Sequence, residues 1–451
     1  MADILDLKSF KNQIPSYVML CIDKLMHSGY EVFIVGGAIR NYLLNRDVSD
    51  YDLCTNANPN DILEVFKDFK TIKTGMEFGT VMVIIDKNQI EITSYRIEKG
   101  YIDGRRPSDV VFSNSLRDDL KRRDFTINAM AYNPYTGLVD EFEGLRDLKM
   151  GIIRAVGDPD SRLSEDYLRI LRAIRLATEL DFELDEKLHS SIKTHSEGLK
   201  KISKERIAQE LIRILMSETP SKGFRMMAST GVLRVISIDI DRMVGFNQES
   251  SFHDYDLFEH SIRVMDNTEP ILSLRLAAIL HDIGKPETKH IDETGEGRYF
   301  GHQNISAELA ENFLREYRFS NQTTDLVVKL VQRHMDCVNE YTPKSVKKLI
   351  SRMGKDVYKL FDLQIADILS TNHEEGIKNV LNGRKLADSI ISEEKPVDER
   401  GLAIDGRDLL AIGYEQGKKI GETLRILTDM VLEDDNLNKK EILIEKAKNL
   451  L

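Results

Sequence analysis

Two carboxylates separated by one residue, Asp50 and Asp52, follow a short apolar run and a pair of glycines. The run at 32–35, Val-Phe-Ile-Val, predicts a buried strand, and Gly36 and Gly37 let backbone amides approach a ligand closely. In an extended chain, residues two apart point to the same side, so both carboxylates can hold cations on one face. Most isolated Asp-x-Asp pairs are surface turns or caps, but this context favours a triphosphate site with bound Mg²⁺.

A third carboxylate, Glu91, lies in the strand-like run at 89–95. Phosphoryl transfer with two metal ions needs carboxylates that bridge both ions, and Glu91 is the candidate for that role. The alternative is an ordinary charge at the edge of a strand.

Arginines that follow these carboxylates suit the oxygens of a triphosphate, because guanidinium groups form forked hydrogen bonds. Arg40 follows the glycine pair, and Arg122 and Arg123 precede Asp124 and Asn128. Asp124 and Asn128 would orient a ribose or the arginines. A basic turn before a buried strand is the alternative, but it gives no reason for Asp124.

The segment Ser-Glu-Asp-Tyr-Leu-Arg-Ile-Leu-Arg-Ala-Ile-Arg predicts a helix on which Asp166 and Arg169, three residues apart, share a face. Arg162 lies one turn before Asp166, and Arg172 one turn after Arg169. Cytosine and adenine both present an amino donor beside a ring-nitrogen acceptor, so a carboxylate and an arginine can accept both bases and reject uracil and guanine. An i, i+3 salt bridge on a solvated helix is the alternative.

The composition is that of a globular chain of more than one domain. The 451 residues are 41% hydrophobic and 31% charged, and the formal net charge is -12. No apolar run approaches a membrane span, the N-terminus has no signal-peptide pattern, and Cys21, Cys54 and Cys337 show no paired spacing. We therefore expect a cytoplasmic protein without membrane contact; the sequence does not give its oligomeric state.

The net charge argues against nucleic-acid binding, but its distribution does not. Residues 96–123 carry eight Lys and Arg against five Asp and Glu, and residues 200–225 carry seven against three. These basic runs allow an RNA path, although each alone is equally compatible with a solvated surface.

The periodicity predicts an α+β protein in which a mixed sheet is followed by helices. Predicted strands are 32–35, 51–54, 79–86, 89–96, 109–112 and 128–133, and predicted helices are 15–28, 38–45, 59–66 and 115–121. From Asp158-Pro159 onward the pattern is helical, except for a predicted loop at 290–301 and a linker at 395–406. Lys418 and Lys419 begin a predicted helix at 417–431 and would meet phosphate or simply be exposed.

Several of these segments together resemble one family. The glycine pair, Arg40 and the Asp-x-Asp pair look like the nucleotidyltransferase superfamily that includes DNA polymerase beta. Residues 95–131 resemble the flexible loop and second motif of bacterial CCA-adding enzymes, residues 158–177 their third and fourth motifs, and residues 203–211 their fifth. The chain is thus identified as a member of the class II tRNA nucleotidyltransferases and bacterial poly(A) polymerases.

This resemblance implies a DNA polymerase beta-like head, then a helical neck and body, and a helical tail. The expected parts are a head at 1–155, a neck and body at 156–235, an HD-type domain at 236–395 and a tail at 396–451. The implied reaction adds CMP and AMP from CTP and ATP to a tRNA 3′ end. In the family, the residues matching Asp166 and Arg169 select the base, and a loop matching 97–108, with Arg105 and Arg106, is needed for the change from C to A addition.

A second resemblance concerns the helical half. The order His260, His281-Asp282, Asp367 and the text LAAILHDIGKPETK resemble the HD phosphohydrolase superfamily. His281 and Asp282 would give one nitrogen and one oxygen ligand, and His260 and Asp367 would complete a site for a divalent transition metal or Mg²⁺. Two further positions used by these domains are occupied by His302 and His334. A lone helical histidine is more often structural.

Three other functions stay open at this point. A poly(A) polymerase or an A-adding tRNA nucleotidyltransferase would share these motifs. An HD-type phosphohydrolase would need no Asp50 and Asp52, and a non-catalytic RNA-binding protein would need no metal carboxylates.

Overall fold

The structure, a computed structural model, describes residues 7–102, 106–249, 255–337, 340–371, 375–392 and 401–451. The chain forms two units, Met1–Ile238 and Asp239–Leu451. The predicted division into four parts is finer than this and stays a prediction.

The first unit is built on a mixed sheet, as predicted. The strands of this unit are β1 (Val32–Val35), β2 (Asp52–Thr55), β3 (Lys70–Ile72), β4 (Thr80–Ile85), β5 (Asn88–Ser94), β6 (Arg96–Ile102), β7 (Arg106–Phe112), β8 (Ala131–Asn133), β9 (Gly137–Val139), β10 (Ile152–Ile153) and β11 (Glu183–Leu184). Seven strands form one sheet in the order β3-β4-β5-β2-β1-β8-β9, in which β2 and β5 are parallel. The side chains of β1 are apolar and mostly buried, which explains its inner position.

The helices of the first unit surround and follow this sheet. They are α1 (Ser16–His27), α2 (Gly37–Leu43), α3 (Pro59–Val65), α4 (Leu116–Lys121), α5 (Gly144–Met150), α6 (Pro159–Glu165), α7 (Leu168–Leu180), α8 (Glu186–His195), α9 (Lys204–Leu215), α10 (Pro220–Ser229) and α11 (Val232–Ile236). Local sequence explains where these helices begin. In α3, for example, Asn58 and Asp61 form a capping box around Pro59.

The predicted loop at 97–108 is wrong: β6 and β7 pair as an antiparallel hairpin there. Strand β7 begins at Arg106, three residues before the strand predicted at 109–112. Arg105 lies outside the described residues. The predicted strand at 128–133 is also shorter, because a 3₁₀ helix at Thr126–Asn128 precedes β8.

The predicted single helix through Asp166 and Arg169 is wrong as well. Helix α6 ends at Glu165, Asp166 is extended with φ -146° and ψ 105°, and α7 begins at Leu168. The Asp166 carboxylate accepts a hydrogen bond of 3.1 Å from the Leu168 amide. Such a side-chain bond competes with helix continuation, so the break arises from Asp166 itself.

In the described residues of the second unit, the secondary structure is helical apart from one short hairpin. After α12 (Ile238–Asp241), at the boundary, its elements are α13 (Leu257–Asp266), α14 (Leu272–Leu280), α15 (Lys285–Thr288), β12 (His290–Ile291), β13 (Gly297–Arg298), α16 (His302–Glu316), α17 (Asn321–Arg333), α18 (Pro343–Met353), α19 (Val357–Leu369), α20 (Glu375–Ser392), α21 (Gly406–Ala411), α22 (Lys418–Glu433) and α23 (Lys440–Lys448). The hairpin replaces part of the predicted loop at 290–301, and within the predicted linker residues 395–400 lie outside the described residues. Of the helices the structure describes, none is both long and apolar enough to span a membrane.

Candidate active site and second metal centre

The carboxylates Asp52 and Glu91 are neighbours across the parallel strands β2 and β5. Residues paired in register on adjacent strands point to the same face of a sheet, so both carboxylates lie on one side. Desolvation, followed by the charge of Glu91, raises the pKa of Asp52; Arg123 opposes this shift, and Asp50 adds to it. A bound cation would relieve the repulsion among these carboxylates, so their chemistry fits Mg²⁺.

The turn after β1 requires glycine at one position. Gly36 has φ +76°, and a Cβ there would lie 3.4 Å from Arg123 Nη1. Val35 pairs with Asp52 in the sheet, so this turn lies at the same end as the carboxylates. Gly37 begins α2.

Most of the predicted nucleotide-binding residues line one cleft of about 510 Å³ in the first unit. The lining residues are Gly36, Gly37, Arg40, Asp52, Arg96, Arg122, Arg123, Asp124, Asn128, Asp166, Arg169, Arg172, Arg175 and Arg213. Eight arginines against three aspartates make the lining strongly positive, which suits a polyphosphate.

A chain of polar contacts through Asp124 orients two of these arginines. Arg40 Nη1 donates to Asn128 Oδ1 at 2.6 Å, Asn128 Nδ2 donates to Asp124 Oδ1 at 3.2 Å, and Arg172 Nη2 lies 2.6 Å from Asp124 Oδ2. Burial raises the pKa of Asp124, but Arg172 and Arg169 outweigh it and lower the pKa to about 2. Burial, followed by the charge of Arg175, lowers the pKa of Arg40 to about 10.

The adjacent arginines of the cleft share one buried acid, Asp119, which the sequence reasoning missed. Arg122 Nη2 lies 2.7 Å and Arg123 Nη2 lies 3.3 Å from the Asp119 carboxylate, which is fully buried. The spacing of three and four residues across the end of α4 is the signal that would have identified Asp119.

Asp166 and Arg169 both line the cleft, although they belong to different segments. Arg206 Nη2 donates to Asp166 at 2.9 Å, and Arg169 pairs with Glu165. Arg206 and Glu165 were not among the predicted site residues.

Arg162 is not among the lining residues of the cleft. It is buried and donates to the carbonyl oxygens of Lys121 at 2.7 Å and Val156 at 3.2 Å. Through these hydrogen bonds, Arg162 links α6 to the segments around it. Its predicted role in nucleotide binding has no direct geometric support.

A second cluster of ligand-type side chains lies in the second unit. His260 Nε2 is 3.0 Å from Asp367 Oδ1, and His281 Nε2 is 3.1 Å from Asp282 Oδ2 and 3.7 Å from Asp367 Oδ1. The structure thus brings together all four predicted residues of this site. Burial raises the pKa of Asp282, but His281 and Lys285 outweigh it and hold the pKa well below its usual range.

Asp282 also belongs to an adjoining triplet. His302 Nε2 lies 3.2 Å and His334 Nε2 lies 3.5 Å from Asp282 Oδ1, and all three side chains are buried. Among the described residues, the His, Cys, Asp and Glu groups with ligand atoms within 4.8 Å of one another are this triplet and His260-His281-Asp282. The carboxylates of Asp50, Asp52 and Glu91 do not form such a group within 4.8 Å.

The histidine tautomers of this cluster fit metal binding. The Nδ1 atoms of His281, His302 and His334 lie 2.7–2.8 Å from the carbonyl oxygens of Ala278, Tyr299 and Val331, each three residues earlier. A proton on Nδ1 leaves the Nε2 lone pair toward Asp282, as in metal-binding histidines. Within the described part of the chain, neither His281 Nε2 nor Asp282 Oδ1 makes a hydrogen bond of good geometry.

Three family models match successive parts of this chain. They are the "Poly A polymerase head domain" at residues 32–154, the "Probable RNA and SrmB- binding site of polymerase A" at 181–242, and the "HD domain" at 257–395. The CCA-adding enzyme of Ligilactobacillus salivarius is 32% identical over 445 residues, which cover 98% of this chain and 97% of that protein. The CCA-adding enzyme of Lactobacillus helveticus is 32% identical over 420 residues, 92% of each chain.

The chain belongs to the CCA-adding enzyme family. Solved structures agree at the level of the fold. The Bacillus stearothermophilus CCA-adding enzyme in complex with CTP superimposes with a TM-score of 0.68 at 24% identity, covering 99% of this chain and 98% of that one. The Thermotoga maritima CCA-adding enzyme complexed with tRNA-CCA gives a TM-score of 0.57 at 22% identity, covering 99% of each chain. The predicted fold class, a nucleotidyltransferase head followed by helices and an HD domain, is confirmed.

Within this family member, the roles of individual site residues stay predictions. The predicted residues outside the cleft lining are Asp50, Glu91 and Arg162, and the cleft arginines that the sequence reasoning missed are Arg96, Arg175 and Arg213. Arg175 and Arg213 lie on different helices, α7 and α9, so no local sequence pattern indicates that both line the cleft.

Proposed function

We propose that the first unit transfers CMP and AMP, without a template, from CTP and ATP to the 3′ end of a tRNA and releases pyrophosphate. The observation that carries this proposal is the single cleft in which Asp52 lies among arginines beside a glycine turn. Relatives named CCA-adding enzymes over nearly the whole chain support the same reaction.

In the reaction, the tRNA 3′-hydroxyl oxygen attacks the α-phosphorus and the bond to pyrophosphate breaks. Mg²⁺ held by Asp50 and Asp52, with Glu91 beside Asp52, would lower the pKa of the attacking hydroxyl and neutralise charge on the leaving group. Arg122 and Arg123, held by Asp119, would bind the triphosphate oxygens.

Base choice falls to Asp166 and Arg169. The carboxylate, fixed by Arg206, would accept from the amino group of cytosine or adenine, and Arg169 would donate to the ring nitrogen. Both groups line the same cleft as Asp52, which supports this assignment. Asp166→Ala should incorporate nucleotides from UTP and GTP at a measurable rate, while CTP binding should still depend on Mg²⁺. Unchanged nucleotide selection would refute this role.

The basic run at 200–225 falls inside the segment that matches the RNA-binding family model. We assign tRNA contact to this part of the chain and expect the protein to work in the cytoplasm. The four-part division into head, neck and body, HD-type domain and tail remains our proposal for its organisation.

One assay tests the transfer reaction. Purified protein is incubated with Mg²⁺, tRNA that lacks CCA, and radiolabelled CTP, ATP or both. We expect C incorporation without ATP, and A incorporation only after two C residues. Long A tracts on unrelated RNA would instead identify a poly(A) polymerase, and no incorporation would refute the transferase.

For the second unit we propose a divalent metal centre with phosphohydrolase activity. The three buried histidines with Nδ1 on carbonyl oxygens support metal binding independently of the first unit. We expect His281→Ala to lower bound transition metal, measured by elemental analysis, and to abolish hydrolysis of a cyclic phosphate substrate to its phosphomonoester. The matched control is His290→Ala, an exposed histidine of β12, which should bind metal like the parent protein.

A further inference from the structure

A second cleft of the first unit, of about 470 Å³, lies at the other end of the sheet from Asp52. Strand β2 begins at Asp52 and ends at Thr55, where it pairs with Ser94. Ser94 and Asn56 line the cleft. Three residues of strand, about 10 Å, therefore separate it from the carboxylates of the active site.

One hydroxyl group of a residue that lines this cleft, Ser94 Oγ, is buried without a hydrogen bond to any residue the structure describes. Ser94 is 2% exposed. The neighbouring Tyr95 packs in the apolar core with Cys54, and its phenol hydrogen-bonds to Glu31. Buried polar groups nearly always have partners, and an unpartnered hydroxyl beside a cavity marks where the polar edge of a ligand would bind.

Two side-chain amides of the lining are held in fixed orientations. Asn56 Oδ1 accepts from the Glu31 amide at 2.8 Å, and Asn58 Oδ1 accepts from the Asp61 amide at 3.1 Å. With the carbonyl oxygens engaged in this way, the side-chain nitrogens of Asn56 and Asn58 are the donors available to a ligand.

The lining also contains aromatic rings and lacks cations. Tyr30 and Phe112 contribute rings, and Phe112 is 46% exposed. No Lys or Arg is among the described lining residues, and Asp61 is the single formal charge there. Such a lining disfavours phosphate and favours a neutral flat ring with donors and acceptors on its edge.

We propose that this cleft is a binding site for an uncharged purine or pyrimidine nucleoside. The ring stacks on Phe112, its edge meets Ser94 Oγ, and the amides of Asn56 and Asn58 donate to its acceptors. The volume exceeds that of one nucleoside and lies within the usual range for small-molecule sites. The site is separate from the proposed transfer reaction.

Isothermal titration of the full chain with adenosine and with cytidine tests this site. Each titration is repeated with saturating CTP and Mg²⁺, so that the arginine-lined cleft is filled. We expect one nucleoside to bind one-to-one with the same affinity in both conditions. Ser94→Ala and Phe112→Ala should each weaken binding about five-fold or more, and the exposed serine variant Ser190→Ala should leave it unchanged.

Binding that disappears with CTP would place the nucleoside in the active site and overturn the proposal. Equal affinities for the parent protein and both cleft variants, or no binding of either nucleoside at millimolar concentration, would also overturn it. CMP incorporation is measured separately on the same preparation, so failure of the transfer reaction is distinguished from failure of this site.

Discussion

A single buried carboxylate controls how two neighbouring arginines enter the active-site cleft. Asp119 is fully buried, whereas Arg122 and Arg123 reach the cleft lining from it. A guanidinium carries five N–H donors, so an arginine that is held by Asp119 can also bind a phosphate. We regard Asp119 as a positioning residue, because it is not among the residues that line the cleft.

Asp119→Asn keeps the size of this side chain and removes its charge. We expect the KM values for CTP and ATP to rise together about ten-fold, with the preference between them unchanged, because both arginines lose their anchor. Breaking the pair should also cost about 2–3 kcal/mol of stability, reduced by the partial exposure of the arginines. The neighbouring control, Asp118→Asn, should keep parental KM values; equal KM shifts in both variants would argue against the proposed role.

Asp124 gives a prediction about pH. Its pKa in the folded chain is about 2, below the reference value of 3.8, so its contribution to stability is present above pH 3.8 and is lost as pH falls toward 2. The full contribution is about 2 kcal/mol, of which about half is lost by pH 3.

Denaturant unfolding of the parent protein and of Asp124→Asn at several pH values measures this contribution. The difference in unfolding free energy should shrink by about 1 kcal/mol between pH 5 and pH 3. A difference that stays constant over this range would show that Asp124 is not held by Arg172 and Arg169 as described.

At the scale of elements, apolar runs in the sequence predicted the inner strands well and the polar segments poorly. β1 was predicted residue for residue, because burial on an inner strand needs a continuous apolar run. The β6-β7 hairpin was missed because its charged sequence has no apolar alternation, although its two strands pair with each other. The helix break at Asp166 was missed because its cause is a local hydrogen bond that helical spacing does not reveal.

Tyr167, the residue at this break, packs closely against Gly198. A Cβ at Gly198 would lie 2.1 Å from Tyr167 Cδ1, and Tyr167 is the residue between Asp166 and the start of α7. Gly198→Ala should displace this ring and Asp166 with it, and so relax the choice of C and A over U and G in single-nucleotide incorporation.

A glycine with open space around it provides the comparison. An added Cβ at Gly421 in α22 meets nothing within 4 Å, so Gly421→Ala should leave base choice unchanged. Parental selectivity in Gly198→Ala, with parental thermal stability, would show that the break does not position Asp166.

At the scale of the whole molecule, an acidic chain must attract an acidic substrate. The net charge is -12, yet eight arginines line the active-site cleft and the run at 200–225 is basic. Local field, more than net charge, governs phosphate binding at ordinary ionic strength, because interactions beyond about 8–10 Å are screened. Two lysine pairs are candidates for phosphate contact, Lys200-Lys201 at the start of this basic run and Lys418-Lys419 at the start of α22.

The structure shows different surroundings for these two lysine pairs. Lys200 and Lys201 are exposed within the segment that matches the RNA-binding family model, whereas Lys419 Nζ donates to the Leu451 carbonyl at 2.6 Å and helps close the C-terminal helices. Replacing Lys200 and Lys201 by Gln should therefore weaken tRNA binding at 50 mM salt and reduce the slope of log K against log salt by about 1–2. Lys418→Gln should change neither quantity. If the salt slope instead changed in Lys418→Gln alone, the phosphate contact would lie at the C-terminal helices. The interpretation of Lys418 as a merely exposed lysine would then be wrong.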